Sequence, residues 1–291
     1  MKRIVLFILT NLAIVLVLSL VAQLTGLDVW LARQGSSLGS LLLFATFFGF
    51  SGALISLAIS KWMAKRTLGV RIIDTPSSTA EQWLIETVRS LAARSGVGMP
   101  EVGIFESAQP NAFATGPSRN NALVAVSSGL LASMNRDEIE AVLGHEMTHV
   151  ANGDMVTLTL IQGVVNTFVI FLSRIVGNIV DRSLSRDNEG EGPAYFVTVM
   201  ITQLVLGILA TVIVMWFSRQ REFRADAGGA RLAGRERMIA ALERLQRAHE
   251  EPLPSQLNAF GIAGGGGAGW QQLFMSHPPI QQRIAALRAL P

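Results

Sequence analysis

The sequence predicts a membrane α-helical protein with four transmembrane helices and a water-facing α+β domain that holds a small β-sheet. Three observations lead there. Only 15% of the 291 residues are charged and 50% are hydrophobic, against about 25% charged in an average soluble domain. Four stretches lack charge for long enough to cross a bilayer, which takes about 20 mostly apolar residues. Between the second and third of them lies a segment rich in helix caps, turns and strand-like runs. The same arithmetic excludes other classes. Disordered chains are polar and charge-rich, and a disulfide-stapled secreted domain needs cysteines, of which there are none. A formal net charge of +3 is too small to argue for nucleic acid, so the charges are read by position.

The first span covers residues 4–22, directly behind Lys2 and Arg3. It is longer than the apolar region of a signal peptide and has no small-residue cleavage site after it, so it reads as an anchor. The second has residues 38–59 as its core, in the charge gap between Arg33 and Lys61. The third starts after Asp154, meets Arg174 and continues to Val180. The fourth lies between Glu191 and Arg219. One side of the membrane receives Lys2, Arg3, Lys61, Lys65, Arg66, Arg71, Arg219, Arg221 and Arg224; the other receives only Arg33, Arg182 and Arg186. Positive charge marks the cytoplasmic side, so both termini and the segment between spans two and three are expected there. Arg174 lies near the outer end of its span and is expected to snorkel to the headgroups. The plan of the chain is then two N-terminal spans in 1–60, a cytoplasmic segment in 61–154, spans three and four in 155–218, and a second cytoplasmic segment in 219–291.

In the first cytoplasmic segment, Ser78-x-x-Glu81 is a capping box that opens a helix ending at Gly96. Strand-like runs follow at 101–105, 112–115 and 122–127, with turns at Pro110-Asn111 and at residues 118–121. Asn135-x-x-Glu138 is a second capping box. It opens a helix that carries Ile139, Val142, Leu143 and Met147. Beyond the fourth span a helix is expected from 219 to about 249, broken near Gly234. A glycine tract at 264–267 and a last helix over 278–290 complete the chain.

The strongest local signal is His145-Glu146-Met147-Thr148-His149. On a helix, residues four apart share a face, so two imidazoles can meet one Zn²⁺, with Glu146 beside them as general base for water. Composition alone would produce this motif ~0.003 times in such a chain, so chance is a poor account of it. A catalytic zinc needs a third protein ligand and an open fourth position. Residue 155, where a metzincin would place its third histidine, is Met155. Glu222 is the candidate instead, in Arg221-Glu222-Phe223-Arg224-Ala225-Asp226, just past the fourth span. The third span starts right after the first two ligands and the fourth ends right before Glu222, so an antiparallel pair of spans would bring the three together. Asp226, four residues on, is placed to orient a ligand histidine, while Asp154 reads as a helix-end residue at the membrane surface. Tyr195 falls on the outer side, and two histidines remain: His249 reads as part of a polar helix end, and His277, in the rigid turn Ser276-His277-Pro278-Pro279, is the candidate oxyanion donor and so a catalytic residue. Asn111, Ala112, Phe113 and Ala114, ahead of Thr115-Gly116, form a candidate strand for pairing with an extended substrate.

Taken together, the 111–116 strand, Gly144-His145-Glu146-Met147-Thr148-His149, Asn152-Gly153-Asp154, the 221–226 motif and Ser276-His277-Pro278-Pro279 resemble the bacterial HtpX proteases, relatives of the eukaryotic CAAX prenyl endoproteases. The resemblance covers essentially the whole chain. It implies a zincin core of gluzincin type, with one Zn²⁺ per chain on His145, His149 and Glu222, and Glu146 as base. It further implies a multi-pass endopeptidase of the bacterial inner membrane, active site on the cytoplasmic side, that cleaves misfolded or damaged membrane proteins and unfolded polypeptides under envelope stress. Expected partners are such substrates, the lipid bilayer and other membrane quality-control proteases, with no nucleic acid. Two alternatives stay open: a membrane scaffold or chaperone with a structural zinc, and a prenyl-protein endoprotease. Proteolysis within the lipid is disfavoured by Arg136, Asp137, Glu138 and Glu140, which precede His145 on the same helix.

Overall fold

A computed structural model describes residues 38–184, 193–250 and 275–290. The first expected span, Arg186 and the glycine tract fall outside these residues. The described chain is mostly helical, with one small mixed sheet, and divides into two compact units.

Three helices among the described residues are long and apolar enough to cross a membrane: Gly39–Thr67, Asp154–Asp181 and Pro193–Ala233. They belong to α1 (Leu38–Thr67), α5 (Asp154–Leu184) and α6 (Pro193–Ala233). Four spans were expected, and three are found among the residues described. Their outer faces carry Leu43, Phe47, Met200 and Leu204, all more than 60% exposed. A face that apolar suits lipid rather than water. In α6 no charged residue occurs from 193 to 218, and the last four turns, from Arg219 on, belong to the other unit.

The unit made of residues 1–55 and 159–214 packs on small residues. A Cβ at Gly49 would strike the Thr167 backbone, and one at Gly163 would strike the Phe50 ring. Leu42, Ala45, Phe171 and Ile175 form its buried cluster. Arg174 lays its guanidinium over the Phe44 ring at 4.3 Å and turns Nη1 toward the Tyr195 hydroxyl at 3.5 Å.

The second unit comprises residues 56–158 and 215–291. Its sheet contains β1 (Arg71–Ile72), β2 (Glu101–Phe105), β3 (Ala112–Ser118) and β4 (Asn121–Ser127) in the order β1-β2-β4-β3. β1 pairs antiparallel with β2, β2 parallel with β4, and β3 antiparallel with β4. β4 is central and buried on both faces, as its run Ala122-Leu123-Val124-Ala125-Val126 requires. β3 is an edge. Around the sheet lie α2 (Thr79–Ser95), the short α3 (Ser128–Ser133), α4 (Arg136–Asn152), α7 (Arg235–Glu250) and α8 (Ile280–Arg288). Leu84, Val88 and Leu91 of α2, Leu143 and Met147 of α4, Leu242 of α7 and Leu287 of α8 share one core with the strands.

The caps follow the sequence, with one change. Asn135 and Glu138 make the full reciprocal box at the start of α4. At α2 the Ser78 hydroxyl accepts from the Glu81 N–H, but the Glu81 carboxylate does not return the bond to Ser78. It reaches one residue further, to the N–H and hydroxyl of Ser77, because Arg71 draws it that way at 2.6 Å. Gly96 ends α2 and Gly153 ends α4, both left-handed with φ of 66° and 62°. α7 begins after Gly234, the break expected there. β1 and α3 were not read from the sequence. Two residues of strand, and one turn and a half of helix, are too short for any period to show.

Candidate active site

The site is assembled from α4, the charged end of α6, the start of α5, the turn at His277 and helix α8. His145 and His149 stand one turn apart on α4, with Glu146 between them. The opposite face of that helix buries Leu143, Met147 and Val150, which fixes its rotation against the core. α6 lies against α4 without intervening side chains. A Cβ at Gly228 would come within 2.3 Å of Thr148 Cγ2, and one at Gly229 within 3.0 Å of the His145 nitrogen. Only glycine permits so close an approach, and it carries Glu222 and Asp226, two and one turns earlier on α6, to the imidazoles.

Three potential ligand side chains face one point. His145 Nε2 and His149 Nε2 are 3.1 Å apart. Glu222 Oε2 lies 3.4 Å from the first and Oε1 3.3 Å from the second. A tetrahedral ion about 2.0–2.1 Å from its ligands separates them by ~3.3–3.4 Å. The two nitrogens and the Glu222 carboxylate are therefore spaced much as the ligands of one metal ion would be, and these residues form a group able to hold one. Two imidazoles and one carboxylate, the set found among the described residues, are the donors of a catalytic zinc site, which takes three protein ligands.

Each imidazole is fixed from behind by an aspartate. Asp226 Oδ1 is 2.9 Å from His145 Nδ1, and Asp154 Oδ2 is 2.7 Å from His149 Nδ1. Nδ1 therefore carries the proton on each ring and donates it, which leaves Nε2 for a metal. Asp154 opens α5 immediately after the left-handed Gly153, and that turn brings it back to His149. Arg221 Nη1 donates to the Asp154 carbonyl at 3.1 Å, and Arg283 donates twice to Asp226, at 2.8 Å and 2.6 Å.

Glu222 and Asp226 are 2% and 1% exposed, and carboxylates so buried need partners. Burial opposes their ionisation, yet both are held below the ordinary carboxylate range. His145, His149 and His277 do this for Glu222; Arg283 and His145 do it for Asp226. Burial likewise opposes a charged imidazole. Asp226 and Glu222 nonetheless raise His145 above its usual value, and Asp154 and Glu222 push His149 up to about 10. A field that favours a proton at these nitrogens also favours a metal cation.

Of the residues singled out in the sequence, His145, His149, Glu222 and Asp226 are brought together. Glu146 is half-buried beside them, and its charge acts on both imidazoles. His277 joins through Nδ1, 2.7 Å from Glu222 Oε2, with its ring 61% exposed. Ala112, Phe113 and Ala114 lie on β3, paired to Val126, Ala125 and Val124, and Asn111 precedes the strand with its carbonyl accepting from the Ser127 N–H. β3 packs on α4, and its other edge pairs with no strand among the described residues. Sequence reasoning missed the part played by Asp154 and Arg283. A signal existed for each. His149 had no acceptor assigned to its second nitrogen, and Arg283 occupies an apolar position in the run Ile280, Arg283, Ile284, Leu287.

Fold and site together define a helical membrane protein with a His-His-Glu metal centre beside an edge strand. The model of peptidase family M48 matches residues 78–290. A protease HtpX homolog of Thiobacillus denitrificans is 66% identical over 290 residues, covering 100% of both chains. Protease HtpX of Nitrosococcus oceani is 64% identical over 99% of each chain, and that of Thioalkalivibrio sulfidiphilus 62% identical over 100% of this chain and 99% of its own. The crystal structure of S. mikatae Ste24p shares the fold, with a TM-score of 0.64 at 20% identity over 97% of this chain and 67% of that one. The chain belongs to peptidase family M48 and is a membrane metallopeptidase.

Proposed function

We propose that the chain is a zinc-dependent endopeptidase of the bacterial inner membrane, with its termini and active site on the cytoplasmic side, that cuts misfolded or damaged membrane proteins and unfolded polypeptides. The observation that carries this reading is the triangle of His145 Nε2, His149 Nε2 and Glu222 at 3.1–3.4 Å. Its nitrogen-and-carboxylate donors suit zinc, one ion per chain. The orientation rests on the excess of Lys and Arg at the ends of the spans. The choice of membrane substrates rests on the short distance along the chain between ligands and apolar stretches. His149 precedes Asp154, the first residue of α5, by five residues, and Glu222 follows Ser218, the end of the unbroken uncharged run of α6, by four. The segments 61–154 and 219–291 then supply the catalytic residues, and 1–60 and 155–218 the spans. Nucleic acid has no place in this scheme, whereas other membrane quality-control proteases do.

Zinc, when bound, supplies a Lewis acid that polarises the scissile carbonyl and makes water more acidic. Glu146 takes a proton from the attacking water and returns it to the leaving amine. β3, with Asn111, Ala112, Phe113 and Ala114, pairs with the extended substrate and sets the scissile bond over α4. His277 donates to the developing oxyanion. Asp226 and Asp154 keep the two imidazoles in the ligating tautomer.

The test compares wild type with Glu146→Gln, purified in detergent, stripped of metal, reloaded with zinc and given an unfolded protein. Zinc retained with cleavage lost is expected. Equal cleavage by the two would sink the catalytic assignment. The set of three donors among the described residues favours this reading over a membrane scaffold with a structural zinc, whose site would be closed by a fourth protein ligand.

A further inference from the structure

Arg283 is a buried cation, 7% exposed, on the inner stripe of α8 between Ile280 and Ile284. A leucine or methionine would fill that stripe without burying charge, and a buried guanidinium is tolerated only when well paired. Its pairing is specific. Nε donates to Asp226 Oδ2 at 2.8 Å and Nη2 to Oδ1 at 2.6 Å. The same Nη2 lies 3.4 Å from His145 Nδ1 and 3.8 Å from Glu222 Oε2. One guanidinium thus touches the orienting carboxylate and approaches two of the three groups that face the metal position.

We propose that Arg283 is a positioning residue for the metal centre, whose fork holds Asp226 so that Oδ1 faces His145 Nδ1 and Nε2 is left bare for the ion. This rests on the reading of His145 as a metal ligand. Arginine has donors only, so a side chain that came within reach of His145 could not orient it by accepting a proton. It acts through Asp226. Two parallel N–H bonds fix the plane of that carboxylate, and the remaining lone pair on Oδ1 points at the imidazole, 2.9 Å away. An acceptor there keeps the proton on Nδ1. Without the fork the carboxylate can turn about its last torsion, and the His145 tautomer is no longer set. Lysine, a point charge with no planar fork, reproduces the charge but not the geometry. The arrangement also gives α8 a purpose. Arg283 lies 138 residues beyond His145, so the last helix of the chain completes the centre that α4 begins.

The experiment uses the full chain in detergent, stripped of metal. Zinc affinity is measured by competition with a chromogenic chelator, ligand geometry by the visible absorption of the Co²⁺-loaded protein, and folding by circular dichroism. Arg283→Gln is expected to lower zinc affinity roughly 10- to 100-fold, the usual effect of losing a group that orients a ligand, and to alter the cobalt spectrum while remaining helical. Arg283→Lys is expected to fall between it and wild type. Because Arg283 acts through Asp226, the double variant with Asp226→Asn should bind little worse than Asp226→Asn alone. Wild-type affinity in a folded Arg283→Gln, or losses that add in the double variant, would overturn the proposal. If Arg283→Gln does not fold, Arg283→Lys decides, and wild-type affinity and spectrum there overturn the fork. His145→Ala serves as the control. Unchanged zinc binding in it overturns the ligand reading itself, which separates that failure from failure of Arg283.

Discussion

Gly228→Ala tests whether the contact between α4 and α6 sets the metal geometry. A Cβ there would lie 2.3 Å from Thr148 Cγ2 and 2.4 Å from its Oγ1. An ordinary carbon contact needs about 3.5 Å or more, so the helices must part by roughly 1 Å or Thr148 must turn. Thr148 is buried, and its hydroxyl already donates to the Gly144 carbonyl at 2.8 Å, which resists rotation. An opening of that size would take Glu222 from 3.3–3.4 Å to about 4.3 Å from the imidazole nitrogens, against the ~3.3–3.4 Å that a tetrahedral ion requires. Metal binding would then have to restore the overlap. Overpacking of this kind costs about 1–3 kcal/mol, which as lost affinity is a factor of roughly 5–150. Chelator competition on the detergent-purified protein measures it, with thermal unfolding of the metal-free form as the companion. Adding Thr148→Ala removes the atoms struck and should restore most of the affinity. A Gly228→Ala protein that binds zinc as wild type does would refute the packing argument, and so would a double variant no better than the single.

Three further outcomes are expected. Glu222→Ala should lower metal occupancy, since it removes one corner of the triangle; unchanged zinc content by elemental analysis would refute its place there. Asp154→Asn should weaken zinc binding roughly 10- to 100-fold, because an amide can turn either its oxygen or its NH₂ toward His149 Nδ1; affinity equal to wild type would count against an orienting role. Glu81 is held down to about 2 by the Ser77 N–H, Arg71 and the Ser77 hydroxyl. Its folded value lies below its unfolded one, so its stabilisation is present above about 4.3 and is lost as pH falls toward 2. The difference in unfolding temperature between wild type and Glu81→Gln should therefore shrink as the pH is lowered from 6 to 3, and a constant difference would exclude this assignment.

The parts of the fold legible in the sequence were those written in local patterns. Asn135 and Glu138 sit three residues apart and make their box whatever the rest of the chain does. His145 and His149 share a face because a helix turn makes them do so. The uncharged runs in α1, α5 and α6 show in composition alone. Glu222 was reached by a topological step, since two antiparallel spans return the chain to where it left. What stayed hidden depends on pairings that carry no local mark. β1 is two residues long and exists because Arg71 and Ile72 find Ile104 and Gly103 on β2. Asp154 looked like a helix-end residue, which it is; its second task appears only when Gly153 turns it back on His149.

The site shows why such pairings are hard to read and yet constrain the sequence. Charges this deep are costly singly and tolerable only as a set. Asp226 needs both His145 and Arg283, and Glu222 is met by three imidazoles. Each partner arrives on a different element, from α4 at residue 145 to α8 at residue 283, so no window of sequence contains the set. What a window does contain is the anomaly each member leaves behind: an arginine in an apolar stripe, two glycines at the end of a spanning helix, an aspartate directly after a helix-ending glycine. The arginine and the glycines break a local rule. Glycine weakens a helix interior by about 1 kcal/mol relative to alanine, and arginine forfeits the burial of an apolar side chain. In this chain those departures converge on one point, the face of α4 that carries His145 and His149.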